Sequence, residues 1–255
     1  MTDDFETSAI LDWYISAGVE AICAEAPFVF AIEKKEKLPE PTPLAAAGTS
    51  THLAVKSAGS VCENIKNLEE LNVAIQNFEG CALKKHAAKT VLGSGNPSAK
   101  IMFIGEAPGA DEDRTGTPFV GKCGQLLDKM LAAVELNRKD CFISNILPWR
   151  PPGNRTPTEG EVAICLPFIK KQIELVAPDI LVMLGGSAAN AILDNSDSIS
   201  KLRGRWLEYT TQSGKKIDVI ATFHPAYLLR NSAQKAKVWS DFLRLKKKFM
   251  QELTL

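Results

Sequence analysis

Three short stretches of the chain carry side chains suited to chemistry on a polar heterocycle. Gly105-Glu106-Ala107-Pro108-Gly109 joins glycines, which let backbone N–H groups approach a ligand, to a proline that fixes the turn and a carboxylate able to orient a water. Ser144-Asn145-Ile146 offers an amide that presents donors and an acceptor together to a ring edge. Phe223-His224-Pro225-Ala226-Tyr227-Leu228-Leu229-Arg230 offers an imidazole for an electrophile or acid role, then apolar residues able to wedge into a base stack. Each has an ordinary alternative: a strand-to-helix loop, a turn-capping asparagine, a histidine satisfied in its own loop. The first stretch lacks the Gly-Lys-Ser/Thr ending of a phosphate loop.

Two more loops add to these. Gly116-Thr117-Pro118-Phe119-Val120-Gly121 holds an aromatic between proline and glycine, placed to stack on a base or to pack in the core. Arg150-Pro151-Pro152-Gly153-Asn154-Arg155-Thr156-Pro157-Thr158 is a rigid basic loop able to grip phosphate, or a long connection into a capped helix.

The elements that must position these loops follow from periodicity. Apolar runs at 100–105, 140–147, 179–185 and 216–223 predict buried strands, with a further strand possible at 205–209. Helical patterns cover 66–78, 121–135, 158–176, 187–193 and 231–253, and Thr158 with Glu161 forms a capping-box signature. Strands alternating with helices predict a mainly parallel sheet covered on both faces. Ligands bind such sheets beyond the carboxyl ends of the strands, which directs attention to 105–121, 145–155, 185–187 and 223–230. The chemistry-bearing loops fall in these windows, so the acid, the amide and the histidine are expected to converge on one sheet edge.

Ahead of this pattern lies different sequence. Residues 8–26 predict one helix, and 36–61, with three prolines and many small residues, predict a linker. Residues 1–62 are therefore expected to be an extension and 63–255 the catalytic domain. The 255 residues carry no formal net charge, but unevenly. Residues 1–80 hold 5 Lys/Arg against 13 Asp/Glu, whereas 201–255 hold 12 against 4. That asymmetry is compatible with one nucleic-acid-facing surface, and equally with two solvated charged helices. No apolar run approaches the ~18–20 residues of a membrane helix, and the acidic N-terminus lacks a signal peptide's basic start, so a cytoplasmic protein with no membrane partner is expected. The six cysteines are widely spaced, as expected of reduced, mostly buried thiols.

Four motifs in this order (Gly-Glu-Ala-Pro-Gly, Thr-Gly-Thr-Pro-Phe-Val-Gly, Asn145 followed by Arg-Pro-Pro-Gly-Asn-Arg-Thr-Pro, and His-Pro-Ala-Tyr-Leu-Leu-Arg) resemble the uracil-DNA glycosylase superfamily, most closely its family 4. The resemblance covers the chain from about Cys81 onward. It implies a three-layer α/β/α sandwich with a central, mainly parallel four-stranded sheet, acting on uracil-containing DNA as a monomer. It implies a pocket lined by Gly105, Ala107, Pro108 and Gly109, with Glu106 positioning the attacking water and Phe119 stacking on a flipped base. Asn145 would read the base edge and reject cytosine, and His224 would stabilise the leaving uracil anion. Leu228 would be the wedge, with Arg150, Asn154, Arg155, Tyr227 and Arg230 on the DNA. Another branch has aspartate where Ala107 stands, which leaves Asp111 and Glu112 as alternative water-positioning carboxylates.

The family 4 pattern also implies an iron–sulfur cluster on four cysteines. Here Cys81 and Cys165 match ligand positions, but Lys84 and Trp149 stand at the other two. No cluster and no metal site are expected, and packing with a Lys84–Trp149 cation–π contact would fill the space. The competing reading is a catalytically weak protein that binds abasic or deaminated DNA. A nucleotide hydrolase is disfavoured by the missing phosphate-loop lysine and the lack of a metal-ligand set.

Overall fold

A computed structural model describes residues 47–252. The helix expected at 8–26 and the prolines of the expected linker lie outside these residues. Six strands form one sheet: β1 (Ser94–Gly95), β2 (Ile101–Gly105), β3 (Cys141–Asn145), β4 (Ile180–Leu184), β5 (Trp206–Thr210) and β6 (Lys216–Thr222), in the order β1-β3-β2-β4-β6-β5. The central four, β3-β2-β4-β6, run parallel, and β1 and β5 close the edges antiparallel. The expected four-stranded parallel sheet is thus present, with two edge strands added. β5 is the extra strand foreseen near 205–209. The two residues of β1 are too few to leave an alternating signature.

The helices are α1 (Ala47–Glu63), α2 (Leu68–Asn77), α3 (Ala110–Thr115), α4 (Lys122–Ala133), α5 (Glu159–Val176), α6 (Gly186–Leu193), α7 (Ile199–Leu202), α8 (Pro225–Arg230) and α9 (Lys235–Glu252). Among the described residues, no helix is long and apolar enough to cross a membrane. The presence of α1 corrects the linker reading over its second half. Its glycines, serines and threonines are weak helix formers, so propensity gave no signal. Packing against α5 supplies the stability instead, through Ala58 and Cys62, both buried. The compact unit accordingly starts at Ala45, and the expected boundary at 62/63 cuts through the end of α1.

Strand alternation splits the core into two layers. Met102, Ile104, Leu181, Met183, Val219 and Ala221 face the layer that includes Phe168, Ile169 and Ile173 of α5. Ile101, Phe103, Ile143, Ile180, Val182 and Ile220 face the layer that includes Leu127 and Leu131 of α4 and Val238, Phe242 and Leu245 of α9. Each such side chain stabilises the fold by roughly 1.5–3 kcal/mol through burial. This is why the strands read as continuous apolar runs. α5 begins with the capping box seen in the sequence: Thr158 Oγ1 accepts from Glu161 N–H at 3.2 Å, and Glu161 Oε2 accepts from Thr158 N–H at 2.8 Å.

Candidate active site

Parallel register brings the loops together. Gly105 pairs with Asn145 at the carboxyl ends of β2 and β3, and Leu184 pairs with Thr222 two residues before His224. At this edge lies a cavity of about 470 Å³ whose wall includes Glu106, Ala107, Pro108, Gly109, Phe119, Asn145 and His224, with Asn154, Arg155, Tyr227 and Arg230 also lining it. The acid, the amide, the aromatic and the histidine therefore share one concavity. Arg150 and Leu228 do not line it.

Gly105 does not itself line the cavity, but its position requires a glycine for steric reasons. A side chain at Gly105 would collide with Asn145 Oδ1 and would meet Phe119 Cζ at 2.6 Å. Asn145 itself is buried, and its Oδ1 has no hydrogen-bond partner among the described residues. A buried amide oxygen left in this state costs about 1–3 kcal/mol, which a ligand N–H would offset.

Phe119 has a left-handed backbone, with φ of +55°. Its carbonyl oxygen accepts from Arg138 Nη2, while Arg138 Nη1 donates to Pro118 O at 3.2 Å and Nε donates to Asp128 Oδ1 at 2.7 Å. The same carbonyl crowds Gly124, where any Cβ would overlap it. A second tie comes from Glu112. Its Oε1 accepts from Val120 N–H and Gly121 N–H, both at 2.9 Å, and its Oε2 accepts from Gly109 N–H at 3.1 Å. Glu112 thus joins the 105–109 loop to the 116–121 loop, with both oxygens engaged by backbone N–H groups. Glu106 differs: it lines the cavity, is half-buried, and among the described residues nothing hydrogen-bonds its carboxylate.

His224 caps α8. Its Nδ1 accepts from Ala226 N–H at 3.1 Å, which puts the proton of the neutral ring on Nε2. Burial, reinforced by the Arg230 charge and opposed by Glu112, lowers its pKa to about 4. At neutral pH the ring is an uncharged Nε2–H donor, its centroid 5.7 Å from that of Phe119.

The basic loop is more self-contained than expected. Arg155 forms a two-pronged pair with Glu161, at 2.8 and 2.6 Å, and this hydrogen bonding holds the Glu161 carboxyl below its usual range. Arg150 Nε donates to Asn154 Oδ1 at 2.7 Å, and its Nη1 lies 3.9 Å from Asp113 Oδ2. Asp113 Oδ1 in turn accepts from Ala88 N–H at 2.8 Å and Lys89 N–H at 3.3 Å. Tyr227 packs on Phe223 with centroids 5.0 Å apart, and its hydroxyl accepts from Asn231 Nδ2 at 3.2 Å.

The wedge reading of Leu228 is corrected. Leu228 is 1% exposed in the core layer of α4 and α9, whereas Leu229 is 48% exposed. A six-residue helix turns about 100° per residue, so of two adjacent leucines one faces the core and the other the solvent. The tandem leucines alone do not say which. Sequence reading also missed Arg138 and Asp113, whose roles are bonds to backbone atoms 19 to 25 positions away.

The two cysteines at ligand-matching positions, Cys81 and Cys165, are both buried in the same core layer. Trp149 is buried with them, its Nε1–H donating to Thr90 Oγ1 at 3.1 Å. Lys84 pairs with Glu79. The expected Lys84–Trp149 cation–π contact is not formed; among the described residues the cations over rings are Arg203 on Phe223 and Lys248 on Trp206, each at 5.6 Å. Among the described residues, no group of three or more His, Cys, Asp or Glu side chains could hold a metal ion.

Comparison with known proteins agrees with this architecture. The family model described as Uracil DNA glycosylase superfamily matches residues 92–248. A Type-4 uracil-DNA glycosylase of Thermotoga maritima is 41% identical over 171 residues, covering 67% of this chain and 87% of that protein. The Archaeoglobus fulgidus Type-4 uracil-DNA glycosylase is 40% identical over 185 residues, covering 71% and 92%. A Type-5 uracil-DNA glycosylase of Pyrobaculum aerophilum is more distant, 28% identical over 155 residues. With the matched region spanning the sheet and every loop of the cavity, the chain belongs to the uracil-DNA glycosylase superfamily, on its type 4 branch.

Proposed function

We propose that the protein is a DNA-repair glycosylase that flips uracil out of DNA and hydrolyses its N-glycosidic bond. The observation that carries this reading is the convergence of Glu106, Phe119, Asn145 and His224 on one cavity, with the Asn145 amide oxygen unpartnered there. Asn145 Oδ1 suits the N3–H of uracil, and its Nδ2 suits O4. Cytosine reverses both groups, with an acceptor at N3 and an amine at C4, so the same amide rejects it.

Breaking the bond leaves negative charge on uracil and positive charge on the sugar. His224 Nε2–H is a neutral donor for the developing charge on O2. A donor of this type lowers the barrier by about 3–4 kcal/mol. Glu106, whose carboxylate has no hydrogen-bond partner among the described residues, orients the water that attacks the sugar carbon, and the Phe119 ring offsets part of the cost of unstacking the base. Tyr227 and Arg230, at the cavity mouth, and the 150–155 loop face the DNA. Leu229, not Leu228, takes the place of the extruded base. No step calls on a metal or cluster held by this chain.

The test is release of uracil from a uracil-containing duplex by the wild type, Asn145→Asp and His224→Ala. Wild-type release is expected, falling by roughly 100-fold or more in each variant, as for loss of one transition-state donor. Tight binding of abasic DNA with no release by the folded wild type would instead favour the binding-protein reading.

A further inference from the structure

The type 4 pattern implies a cluster held by four cysteines, and the four corresponding positions here are Cys81, Lys84, Trp149 and Cys165. They do not fit such a group. A ligand must offer an electron pair. An ammonium has none, and the indole N–H is a donor only. Both are also committed elsewhere, Lys84 to the Glu79 carboxylate and Trp149 to Thr90 Oγ1. The two remaining thiols are buried together in one core layer, and two ligands fall short of the four that such a cluster needs. No other described thiol completes a set: Cys123 lies at the cavity, Cys141 sits in the opposite core layer, and Cys62, on α1 in the same layer, joins no group of three that could hold a metal ion.

A cluster at this place would tie three segments together: the 81–84 turn, the strand-end loop at 149, and α5. The same segments are already tied without one. Phe78 packs edge-on against Phe168 of α5 with centroids 5.0 Å apart. Leu83 and Trp149, each 1% exposed, fill the interior between them, in one core layer with Cys81 and Cys165. Val91 N–H donates to Pro148 O at 2.8 Å, and the Asp113 carboxylate caps the N–H groups of Ala88 and Lys89.

We infer that this chain has replaced its family's iron–sulfur cluster with a metal-free plug, formed by Trp149 and the Cys81–Cys165 thiol pair, that holds the 78–93 segment onto the catalytic domain. The inference rests on membership of the type 4 branch, but not on the activity proposed above.

The experiment uses the full chain, so that Cys23 is present as well. The protein is purified anaerobically and incubated with ferrous iron, sulfide and a thiol reductant. Iron, acid-labile sulfide and visible absorbance are then measured, and the melting midpoint is recorded with and without a strong iron chelator. Less than one iron per chain, no visible charge-transfer band and a midpoint indifferent to chelator are expected. One or more irons per chain with accompanying sulfide, or a chelator-induced fall in midpoint, would overturn the inference. Uracil release is assayed on the same preparation. Iron-free protein that releases no uracil sinks the glycosylase reading and leaves the plug standing, while iron-loaded protein that releases uracil does the reverse.

Discussion

Arg138, in the turn before β3, donates through Nη2 to the carbonyl oxygen of Phe119, a cavity residue whose φ is +55°. A left-handed phenylalanine is costly by itself, on the order of 1 kcal/mol or more, and persists only where the surroundings over-determine it. Arg138, the Glu112 carboxylate and the bare Cα of Gly124 do so. Arg138→Gln keeps a donor but loses the planar fork, so the Phe119 ring should lose its fixed pose. We expect kcat/KM for uracil release to fall about tenfold, and stability by about 1–3 kcal/mol. Arg138→Lys should recover part of the stability and little of the activity. Steady-state kinetics and thermal melts of both variants check this.

His224 sets the pH behaviour. Its folded-state pKa, lowered to about 4, lies below the ordinary 6.5, so the fold favours the neutral ring. The unfolded chain binds the proton more readily, hence this group's contribution is fully present above pH 6.5 and is lost as pH falls toward 4. A shift of this size corresponds to up to about 3 kcal/mol. Urea unfolding of the wild type should therefore weaken between pH 6.5 and 4 more than that of His224→Gln. The rate profile should show no acid limb near 6.5. A limb there, absent in the variant, would contradict the neutral-donor role.

The tandem leucines separate two functions. Leu228→Ala removes a core side chain and should cost about 2–5 kcal/mol of stability. Leu229→Ala should leave the melting midpoint within about 1 °C of wild type, because the residue is half-exposed. It should slow uracil release from duplex DNA several-fold while sparing single-stranded substrate, where no stack must be held open. Equal effects on the two substrates would remove Leu229 from the flipping step.

Two carboxylates that line the same cavity, Glu106 and Glu112, are distinguished by their partners. Glu106→Gln should lower kcat with an unchanged melting midpoint, since no group among the described residues bonds to its carboxylate. Glu112→Gln places an amide donor against backbone N–H groups and should destabilise by about 1–3 kcal/mol. Melts and single-turnover kinetics of the pair test the assignment. A Glu112 variant with full stability and no turnover would transfer the water-positioning role to that residue.

The amino-acid sequence by itself determined the parallel sheet, because buried strands must be continuously apolar. It determined the loops that hold the site, because parallel sheets gather ligands at their carboxyl edge. The capping box of α5, and the meeting of Glu106, Phe119, Asn145 and His224 in one cavity, were legible for the same local reasons. Tertiary structure alone decided the rest. The helix at 47–63 exists because α5 covers one face of it, which no propensity reveals. Leu228 is buried and Leu229 exposed because rotation about α8 is fixed by the core and not by the pair. Glu112 serves the backbone while Glu106 faces the cavity, and Arg138 reaches Phe119 from 19 residues away. These roles depend on where distant segments meet in space, and hydrophobic period and residue type carry no record of such meetings.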